Sequence, residues 1–322
     1  MKGVRFHEHG GPGVLRYEEL PDPEPGEGEA LIRLSAIGVN FIDIYRRAGA
    51  YPVELPCLPG SEGAGEVVAL GPGVDGPAVG DRVMVSGGRG AYAELVVAAA
   101  KRLVVLPDGF DEVTAAALPT QAMTAHFLAN SAYPLSDGDT CLIHAGAGGV
   151  GLLLIQMAKM RGARVITTVS TREKAALATE AGADDVVLYT SEDFVAAVKR
   201  ITGGELLPVV YDSVGKTTFD GSLDCLRPRG VLVLYGQASG AVPPFDPQVL
   251  NAKGSLFLTR PNLGHYTLTR EEFDWRSGDV IAWAGSGKLK VRIGERLPLA
   301  DAAEAHRRLE GRLTTGKVIL LP

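Results

Sequence analysis

The chain has 322 residues, of which 46% are hydrophobic and 22% charged, and its formal net charge is -6. This length exceeds the usual size of one domain, so two domains are expected. The acidic balance, with no cluster of Lys and Arg, argues against a nucleic-acid-binding surface. The first residues lack the apolar segment of a signal peptide, and no run approaches the roughly 18 apolar residues of a membrane span. A cytoplasmic protein without membrane or nucleic-acid partners is therefore expected.

The three cysteines, Cys57, Cys141 and Cys225, show none of the close spacings of a zinc knuckle or a redox pair. A sparse, odd set in a chain of this length is typical of a reducing compartment, with buried thiols that act as small apolar groups. The cysteines therefore predict neither a structural metal site nor a redox centre.

The first 121 residues predict short strands separated by Gly/Pro turns, with little helix. Residues 29–38 alternate between apolar and polar types, as a half-buried strand does. Similar strands are predicted at residues 65–70, 82–86, 92–97 and 103–106. This pattern indicates a compact, mostly β domain.

From about residue 122, apolar β runs alternate with helical patterns. The predicted strands are residues 140–144, 164–169, 185–188, 208–212, 231–235 and 255–259. The predicted helices lie near residues 149–161, 172–181, 192–201 and 217–226. Such alternation predicts an α/β domain with a six-stranded, doubly wound parallel sheet of the Rossmann type. The chain is then expected to return to the first domain and end on a strand at 317–321, which gives domains of 1–121 with 262–322, and 122–261.

A glycine loop follows the first strand of this second domain and opens a helix. Gly146, Gly148 and Gly151 form a G-x-G-x-x-G pattern. The first glycine permits a tight turn, the second lets the backbone approach a pyrophosphate, and the third lets the helix pack close to the strand. The alternative, a tight turn without a ligand, fits this strand–helix context less well. The loop therefore predicts dinucleotide binding.

The choice of dinucleotide is indicated at the end of the second strand. NAD-binding domains usually place a carboxylate there for the ribose 2′-hydroxyl. This chain instead has the sequence VSTREK at residues 169–174, in which Arg172 and Lys174 suit a 2′-phosphate. The alternative is that both cations only solvate a helix start. We expect NADPH as the cofactor.

Several motifs together resemble a known family. The segments GVNFIDIY (38–45), PGSEGAG (59–65), VGDRV (79–83) and GAYAE (90–94) resemble signatures of the medium-chain dehydrogenase/reductase superfamily. The glycine loop, VYDSVG (210–215) and KGSLF (253–257) resemble its quinone oxidoreductase branch, which includes zeta-crystallin. The similarity extends from residue 2 to the C-terminus. It implies a GroES-like catalytic domain joined to the Rossmann-type domain.

The resemblance implies two groups of site residues. The group near the substrate and nicotinamide contains Asn40, Asp43, Tyr45 and Tyr51. The cofactor-binding group contains Phe41, Thr124, Gly146, Gly148, Gly149, Val150, Gly151, Ser170, Arg172, Lys174, Tyr189, Ser213, Tyr235, Gly236, Ala238, Pro261, Asn262 and Leu263. Ser170 departs from the Gly often found in relatives, and Tyr235 from the Phe found in some.

Some of these residues have structural alternatives. Tyr45 and Tyr51 fit ordinary aromatic packing as well as a substrate site. Asp43 fits a purely structural acceptor, and Asn40 suits the cap of a helix that begins near Phe41. His144 and Asp212 are more typical of hydrogen-bonding residues at strand ends than of catalysts.

The resemblance also bears on metals. Zinc-dependent relatives carry Cys near position 40 and His near position 61, whereas this chain has Asn40 and Ser61. Without a Lewis acid, alcohol–carbonyl interconversion loses charge stabilisation, so an electron-poor acceptor fits better. We expect a zinc-free NADPH:quinone oxidoreductase with the quinone in a cleft between the domains. Electron and hydride transfer both stay open, as do two alternatives, an enone or enal reductase and a non-catalytic NADPH-binding protein.

The sequence also indicates an oligomer. The β run at residues 255–259 follows the fifth strand of the second domain and is expected at a sheet edge. An exposed apolar edge can pair with its own copy. A homodimer through this strand is expected.

Overall fold

The computed structural model describes residues 1–88 and 90–322. The strands, in chain order, are β1 (Lys2–Arg5), β2 (Arg16–Glu19), β3 (Glu29–Val39), β4 (Glu62–Leu70), β5 (Arg82–Ser86), β6 (Leu95–Ala99), β7 (Leu103–Val105), β8 (Thr140–Ile143), β9 (Arg164–Val169), β10 (Asp185–Leu188), β11 (Leu207–Asp212), β12 (Leu226–Leu234), β13 (Phe257–Thr259), β14 (Ile293–Pro298) and β15 (Lys317–Leu321). The α-helices are α1 (Phe41–Arg47), α2 (Glu112–Ala117), α3 (Met123–Phe127), α4 (Gly149–Met160), α5 (Arg172–Glu180), α6 (Phe194–Ile201), α7 (Phe219–Asp224), α8 (Gln248–Ala252), α9 (Arg270–Gly285) and α10 (Ala302–Glu310).

Contacts divide the chain into two compact units, residues 1–121 with 277–322, and residues 122–276. The sequence placed the return to the first domain at residue 262. In the structure, residues 262–276 pack within the second unit, because the Tyr266 ring stacks on Phe127 with centroids 4.4 Å apart. Arg276 also donates to the Tyr266 carbonyl at 2.6 Å.

The second unit contains a six-stranded sheet in the order β10-β9-β8-β11-β12-β13, in which all neighbours are parallel. This confirms the predicted doubly wound sheet. All six residues of β11 are buried, as expected for a strand covered on both faces. The strand order reverses between β8 and β11, so the loops after these strands form the crevice where such folds bind ligands.

The first unit is built on a sheet in the order β14-β15-β3-β4-β5-β7, with β6 also paired to β3. Its long strand β3 alternates as predicted, with Ile32 and Leu34 buried and Arg33 exposed. The predicted strand at residues 65–70 begins earlier, at Glu62, because the glycines there are strand residues. A Cβ on Gly65 would collide with the Arg33 carbonyl of the adjacent strand, so glycine permits the close approach of β3 and β4.

Among the described residues, no helix has both the length and the apolar character needed to cross a membrane.

Candidate functional site

The glycine loop has the local geometry that its sequence pattern predicts. A Cβ on Gly146 would collide with the Thr167 hydroxyl, and one on Gly151 would collide with the Ala145 carbonyl. A Cβ on Gly148 would meet only the Ala145 carbonyl, at 3.1 Å, within the described atoms. Two glycines therefore permit tight packing inside the protein. Gly148, the middle glycine of the motif, leaves the outer side of the loop open to a ligand.

The loop leads directly into α4, whose N-cap is Gly148. In the described part of the chain, no side chain caps this end of the helix. The first backbone amides of a helix have no intrahelical partner, and the helix dipole favours an anion beside them. Gly149, Val150 and Gly151 thus present amides where a phosphate fits. The geometry suits a pyrophosphate.

The ends of β9 and β10 bring together the residues expected at the 2′-phosphate. The Thr190 hydroxyl donates to the Ser170 carbonyl at 3.1 Å, which ties the segment after β10 to the end of β9. Tyr189 is 40% exposed in this segment. Thr171 caps α5 by accepting from the Lys174 amide at 3.3 Å, and Arg172 begins that helix in an exposed position. These residues lie at the same carboxyl edge of the sheet as the glycine loop.

The loops after β11 and β12 also meet at this edge. The Ala238 amide donates to the Ser213 carbonyl at 3.1 Å, and a Cβ on Gly236 would lie 2.5 Å from the same carbonyl. The Tyr235 amide donates to the Asp212 carbonyl at 2.8 Å. The Asp212 carboxylate accepts from the amides of residues 214 and 215 at 2.7 and 2.9 Å. Asp212 therefore orients the loop that carries Ser213.

The remaining cofactor candidates of the second unit lie on two segments that pack together. Thr124 is on α3, which ends at Phe127. Pro261, Asn262 and Leu263 precede the short helical turn that contains Tyr266, and Asn262 begins this turn by accepting from the amide of residue 264 at 2.7 Å. The Phe127–Tyr266 stack joins the two segments.

The first unit contains an aromatic cluster formed by Phe41, Tyr45 and Tyr51. The Tyr45 and Tyr51 rings meet edge to face with centroids 5.5 Å apart, and Phe41 lies 6.0 Å from Tyr45. All three side chains are half-buried. The Tyr51 amide also donates to the Tyr45 carbonyl at 3.2 Å, which fixes the loop after α1. Part of the aromatic surface of this cluster is therefore accessible.

Asn40 lies beside this cluster but is only 4% exposed, and its carboxamide is held by a buried ion pair. Its Oδ1 accepts from Lys317 Nζ at 2.9 Å, and its Nδ2 donates to Glu62 Oε1 at 2.5 Å. Glu62 and Lys317 pair directly and are each 1% exposed. The backbone amide of Thr120 donates to the other Glu62 oxygen at 2.6 Å. These contacts fix the orientation of the Asn40 carboxamide.

Asp43 is fully buried and begins a hydrogen-bonded chain that leads through Tyr92 and His306 to Arg47. Asp43 Oδ2 accepts from the Asn40 amide at 2.9 Å and from the Tyr92 hydroxyl at 3.3 Å. Tyr92 Oη lies 3.0 Å from His306 Nε2, and Arg47 donates to His306 Nδ1 at 3.0 Å. Because Arg47 occupies Nδ1, the imidazole is neutral with its proton on Nε2. Asp43 Oδ1 finds no hydrogen-bond partner among the described residues.

Burial shifts the pKa values of two titratable groups in this hydrogen-bonded chain, Asp43 and His306, in opposite directions. It raises the pKa of the Asp43 carboxyl to about 6 from 3.8. Burial, assisted by the Arg47 charge, lowers the pKa of His306 to about 3 from 6.5. Asp43 therefore stabilises the fold below pH 3.8 and loses this contribution as the pH rises through 6. The contribution of His306 is present above pH 6.5 and is lost as the pH falls toward 3.

These shifts predict opposite pH dependence in two variants. Between pH 7 and pH 4.5, protonation of unfolded His306 costs about 2–3 kcal/mol, and protonation of folded Asp43 returns about 2 kcal/mol. We expect His306→Gln to gain stability on acidification relative to the wild type and Asp43→Asn to lose it. Urea unfolding across this pH range measures both. Parallel profiles for the two variants would contradict the shifts.

The sequence did not single out Glu62, Tyr92, Arg47, His306 or Lys317. Glu62 and Tyr92 do stand inside the motifs at residues 59–65 and 90–94, so the motifs marked their segments without showing their contacts. Lys317 had a local signal, since it is a charged residue at the start of an apolar strand. Among the described residues, no group of three or more His, Cys, Asp or Glu side chains is arranged to hold a metal ion.

Comparisons with known proteins cover the whole chain. Residues 26–108 match the family model described as the alcohol dehydrogenase GroES-like domain, and residues 149–274 match the model described as zinc-binding dehydrogenase. The quinone oxidoreductase of Pseudomonas aeruginosa is 46% identical over 100% of this chain and 99% of its own length. A 2-haloacrylate reductase of a Burkholderia species is 42% identical, over 98% of each chain.

Two solved structures are similar to this chain in both fold and sequence. The quinone oxidoreductase of Escherichia coli, complexed with NADPH, matches with a TM-score of 0.98 and 42% identity over 100% of both chains. The mycobacterial protein Rv1454c, also complexed with NADPH, matches with a TM-score of 0.97 and 52% identity over 100% of both chains. With the motifs and the site geometry, these matches confirm the predicted family: the chain belongs to the quinone oxidoreductase branch of the medium-chain dehydrogenase/reductase superfamily.

Proposed function

We propose that the protein is an oxidoreductase that reduces quinones with NADPH and does not require zinc. The observation that carries the proposal is the N-terminus of α4, which no described side chain caps, behind an open glycine loop in a chain whose full-length relatives include quinone oxidoreductases. Relatives of 42% and 52% identity are complexed with NADPH, which supports the choice of cofactor. A carboxamide and a hydroxyl, from Asn40 and Ser61, stand where zinc-dependent relatives have a thiolate and an imidazole.

Residues of the second unit hold the cofactor in this proposal. The amides of Gly149, Val150 and Gly151 bind the pyrophosphate, because they lie at the helix N-terminus. Ser170, Arg172, Lys174 and Tyr189 hold the 2′-phosphate at the ends of β9 and β10. The remaining contacts come from the residues after β11 and β12 and from the segments of Thr124 and Asn262.

The cofactor, when bound, supplies the electrons that reduce the acceptor. Tyr45 and Tyr51 offer aromatic edges and faces against which a planar quinone stacks, and Phe41, which the resemblance assigns to the cofactor, packs beside Tyr45. Asn40 is held rigid by Glu62 and Lys317, so its position is set before a ligand arrives. Asp43 accepts a hydrogen bond from the backbone amide of Asn40 and therefore acts through that residue. In this proposal, the chain binds, orients and shields the acceptor, and the cofactor performs the redox step.

The test is the rate of NADPH oxidation with 1,4-benzoquinone and with a 2-alkenal. Turnover of the quinone is expected. The 2-haloacrylate reductase among the relatives favours a second candidate, the reduction of activated carbon–carbon double bonds. Turnover of the alkenal alone would replace the first proposal by the second. NADPH binding without turnover of either acceptor would contradict both. The Gly151→Ala protein, prepared in the same way, serves as a blank for contaminating reductases.

Lys174→Ala is expected to weaken NADPH binding by roughly ten- to a hundredfold and to leave NADH binding nearly unchanged. A charge-assisted hydrogen bond to the 2′-phosphate contributes about 1.5–3 kcal/mol, and NADH lacks this group. Titration calorimetry with each cofactor measures the difference. Lys199→Ala, on the exposed face of α6, is the control and should bind both cofactors normally. Equal losses for NADPH and NADH would contradict the assignment of Lys174.

Tyr51→Ala is expected to lower kcat/KM for 1,4-benzoquinone about three- to tenfold, because one aromatic contact contributes about 0.5–1.5 kcal/mol beyond its buried area. The affinity for NADPH should change less, since the proposed phosphate contacts lie on the other unit. Steady-state kinetics and a separate NADPH titration measure the two effects. Tyr17→Ala, at a 46% exposed position on β2, is the matched control. An unchanged kcat/KM in Tyr51→Ala would make this ring a packing residue.

We also propose a homodimer. The outermost strand on one side of the parallel sheet is β13, and Phe257 on it is 60% exposed. Pairing of β13 with a second copy would cover this edge. A cytoplasmic location is proposed from the three free thiols, which suit a reducing compartment.

A further inference from the structure

A second buried polar chain lies in the second unit and connects the ends of three strands. It contains Thr168 on β9, His144 directly after β8, Ser222 on α7 and Asp212 at the end of β11, none more than 2% exposed. Thr168 Oγ1 lies 2.9 Å from His144 Nδ1, and His144 Nε2 lies 3.1 Å from Ser222 Oγ. Ser222 donates to Asp212 Oδ2 at 2.8 Å. The proposed reaction gives no role to Thr168, His144 or Ser222.

The hydrogen bonds of this chain run in one direction. Asp212 is a carboxylate that accepts from two backbone amides and from Thr218, so the hydrogen between Ser222 and Asp212 comes from Ser222. Ser222 Oγ must then accept from His144, which places the imidazole proton on Nε2. Nδ1 is left to accept a hydrogen bond from the Thr168 hydroxyl. Burial lowers the pKa of His144, which agrees with a neutral ring.

Thr168, at one end of the hydrogen-bonded chain, holds the turn that begins the glycine loop. Ala145 has a φ of 55°, in the left-handed region that favours glycine. Its amide donates to the Thr168 hydroxyl at 3.4 Å, and the Gly146 amide donates to the Thr168 carbonyl at 3.1 Å. The Ala145 carbonyl then accepts from the Gly148 amide at 2.9 Å. An unfavourable backbone conformation is thus fixed by Thr168 directly before the phosphate-binding residues.

We propose that Thr168, His144 and Ser222 are positioning residues for NADPH, which hold the Ala145 turn so that the loop of residues 146–151 is preformed for the pyrophosphate. The other end of this hydrogen-bonded chain is Asp212, which orients the loop that carries Ser213. One buried network thereby sets the two loops on either side of the point where the strand order reverses. This inference rests on the proposed NADPH-dependent function and adds to it the residues that shape the phosphate site.

Thr168→Val tests the proposal, because it removes the hydroxyl and keeps the β-branched shape. We expect NADPH to bind about three- to tenfold more weakly, in line with one lost hydrogen bond and a less ordered loop. Adenosine 2′-monophosphate, which lacks the pyrophosphate, should bind within about twofold of its wild-type affinity. Thr168→Ser should restore NADPH binding. Ser222→Ala, at the other end of the chain, should behave like Thr168→Val. Titration calorimetry supplies the affinities, and thermal unfolding supplies Tm.

Thr202→Val is the matched control, since the Thr202 hydroxyl, like that of Thr168, donates one hydrogen bond and accepts one from a backbone amide. Its acceptor is the Val198 carbonyl on α6 rather than a ring nitrogen. It should lower Tm without changing NADPH affinity. An equal loss of affinity for NADPH and for adenosine 2′-monophosphate in Thr168→Val would overturn the positioning role. An unchanged NADPH affinity in that variant would also overturn it. A wild-type protein that does not bind NADPH would instead contradict the proposed function. These two failures are therefore distinguishable.

Nitrogen-15 NMR of the imidazole rings tests the direction of the chain separately. The His144 ring should show the neutral form protonated on Nε2. Thr168→Ser should keep this signature. A ring protonated on Nδ1, or a charged ring at neutral pH, would overturn the network as drawn, because Ser222 could not then serve both His144 and Asp212.

Discussion

Gly151→Ala should abolish measurable NADPH binding, with a loss of affinity of at least about a hundredfold. A Cβ at this position would collide with the Ala145 carbonyl and would lie 2.9 Å from the Gly146 Cα. Both are backbone atoms, so relief requires the loop to open. The first turn of α4 would then lose the position from which its amides meet the phosphate. Titration calorimetry with NADPH measures the loss.

Two further glycine variants separate loop geometry from ligand contact. Gly148→Ala adds a methyl group whose only neighbour within the described atoms is the Ala145 carbonyl at 3.1 Å. It should keep a near-normal Tm but bind NADPH more weakly than the wild type, because the methyl group stands where the pyrophosphate approaches. Gly278→Ala, on α9, meets no described atom within 4 Å and should retain both stability and affinity. Normal NADPH binding by the Gly151→Ala protein would refute the assignment of the loop.

Lys317→Met should destabilise the first unit by about 3–5 kcal/mol, the largest stability effect expected here, because it leaves a buried carboxylate without its counter-charge. Glu62 and Lys317 are each 1% exposed, so water cannot replace the lost partner. The two tryptophans fall in different units, Trp275 in the second and Trp283 in the first. Urea unfolding followed by the fluorescence of Trp283, in a Trp275→Phe background, therefore reports on the first unit.

The double variant Glu62→Gln with Lys317→Met should recover most of this loss, because it removes both charges together. Arg307→Met provides the control, since Arg307 pairs with Glu304 at a 58% exposed position and such pairs contribute less than about 1 kcal/mol. A double variant no more stable than Lys317→Met would mean that the loss comes from packing rather than from the unpaired carboxylate.

The second unit was the more predictable from sequence. Its strands are short, continuous apolar runs separated by helical patterns, so each element is marked by its own residues. The predicted bounds of β9 and β10 coincide with the observed ones. In the first unit, β4 was placed three residues late, because Gly63 and Gly65 resemble a turn when read locally. Their role in the close approach of β3 and β4 depends on a partner strand that sequence spacing does not reveal.

The candidate site divides in the same way. The glycine loop and the residues at the strand ends follow from local patterns and from the parallel topology. The buried networks do not, because their members are distant in sequence: Lys317 and Asn40 are 277 residues apart, and Arg47 and His306 are 259 apart. His306 stands on α10, which the sequence did not predict. A polar residue becomes part of such a network only through tertiary packing.

The position of β15 has a consequence for biosynthesis. β15 lies between β14 and β3, and its residues are made some 280 residues after those of β3. The second unit is continuous in the chain, and all its residues have been synthesised before β15 emerges from the ribosome. Until then, β3 lacks its neighbour along residues 37–39 and Glu62 lacks its cation. During translation the first unit thus exposes an edge of β3 that is paired in the finished fold, and it is where we expect chaperones to bind.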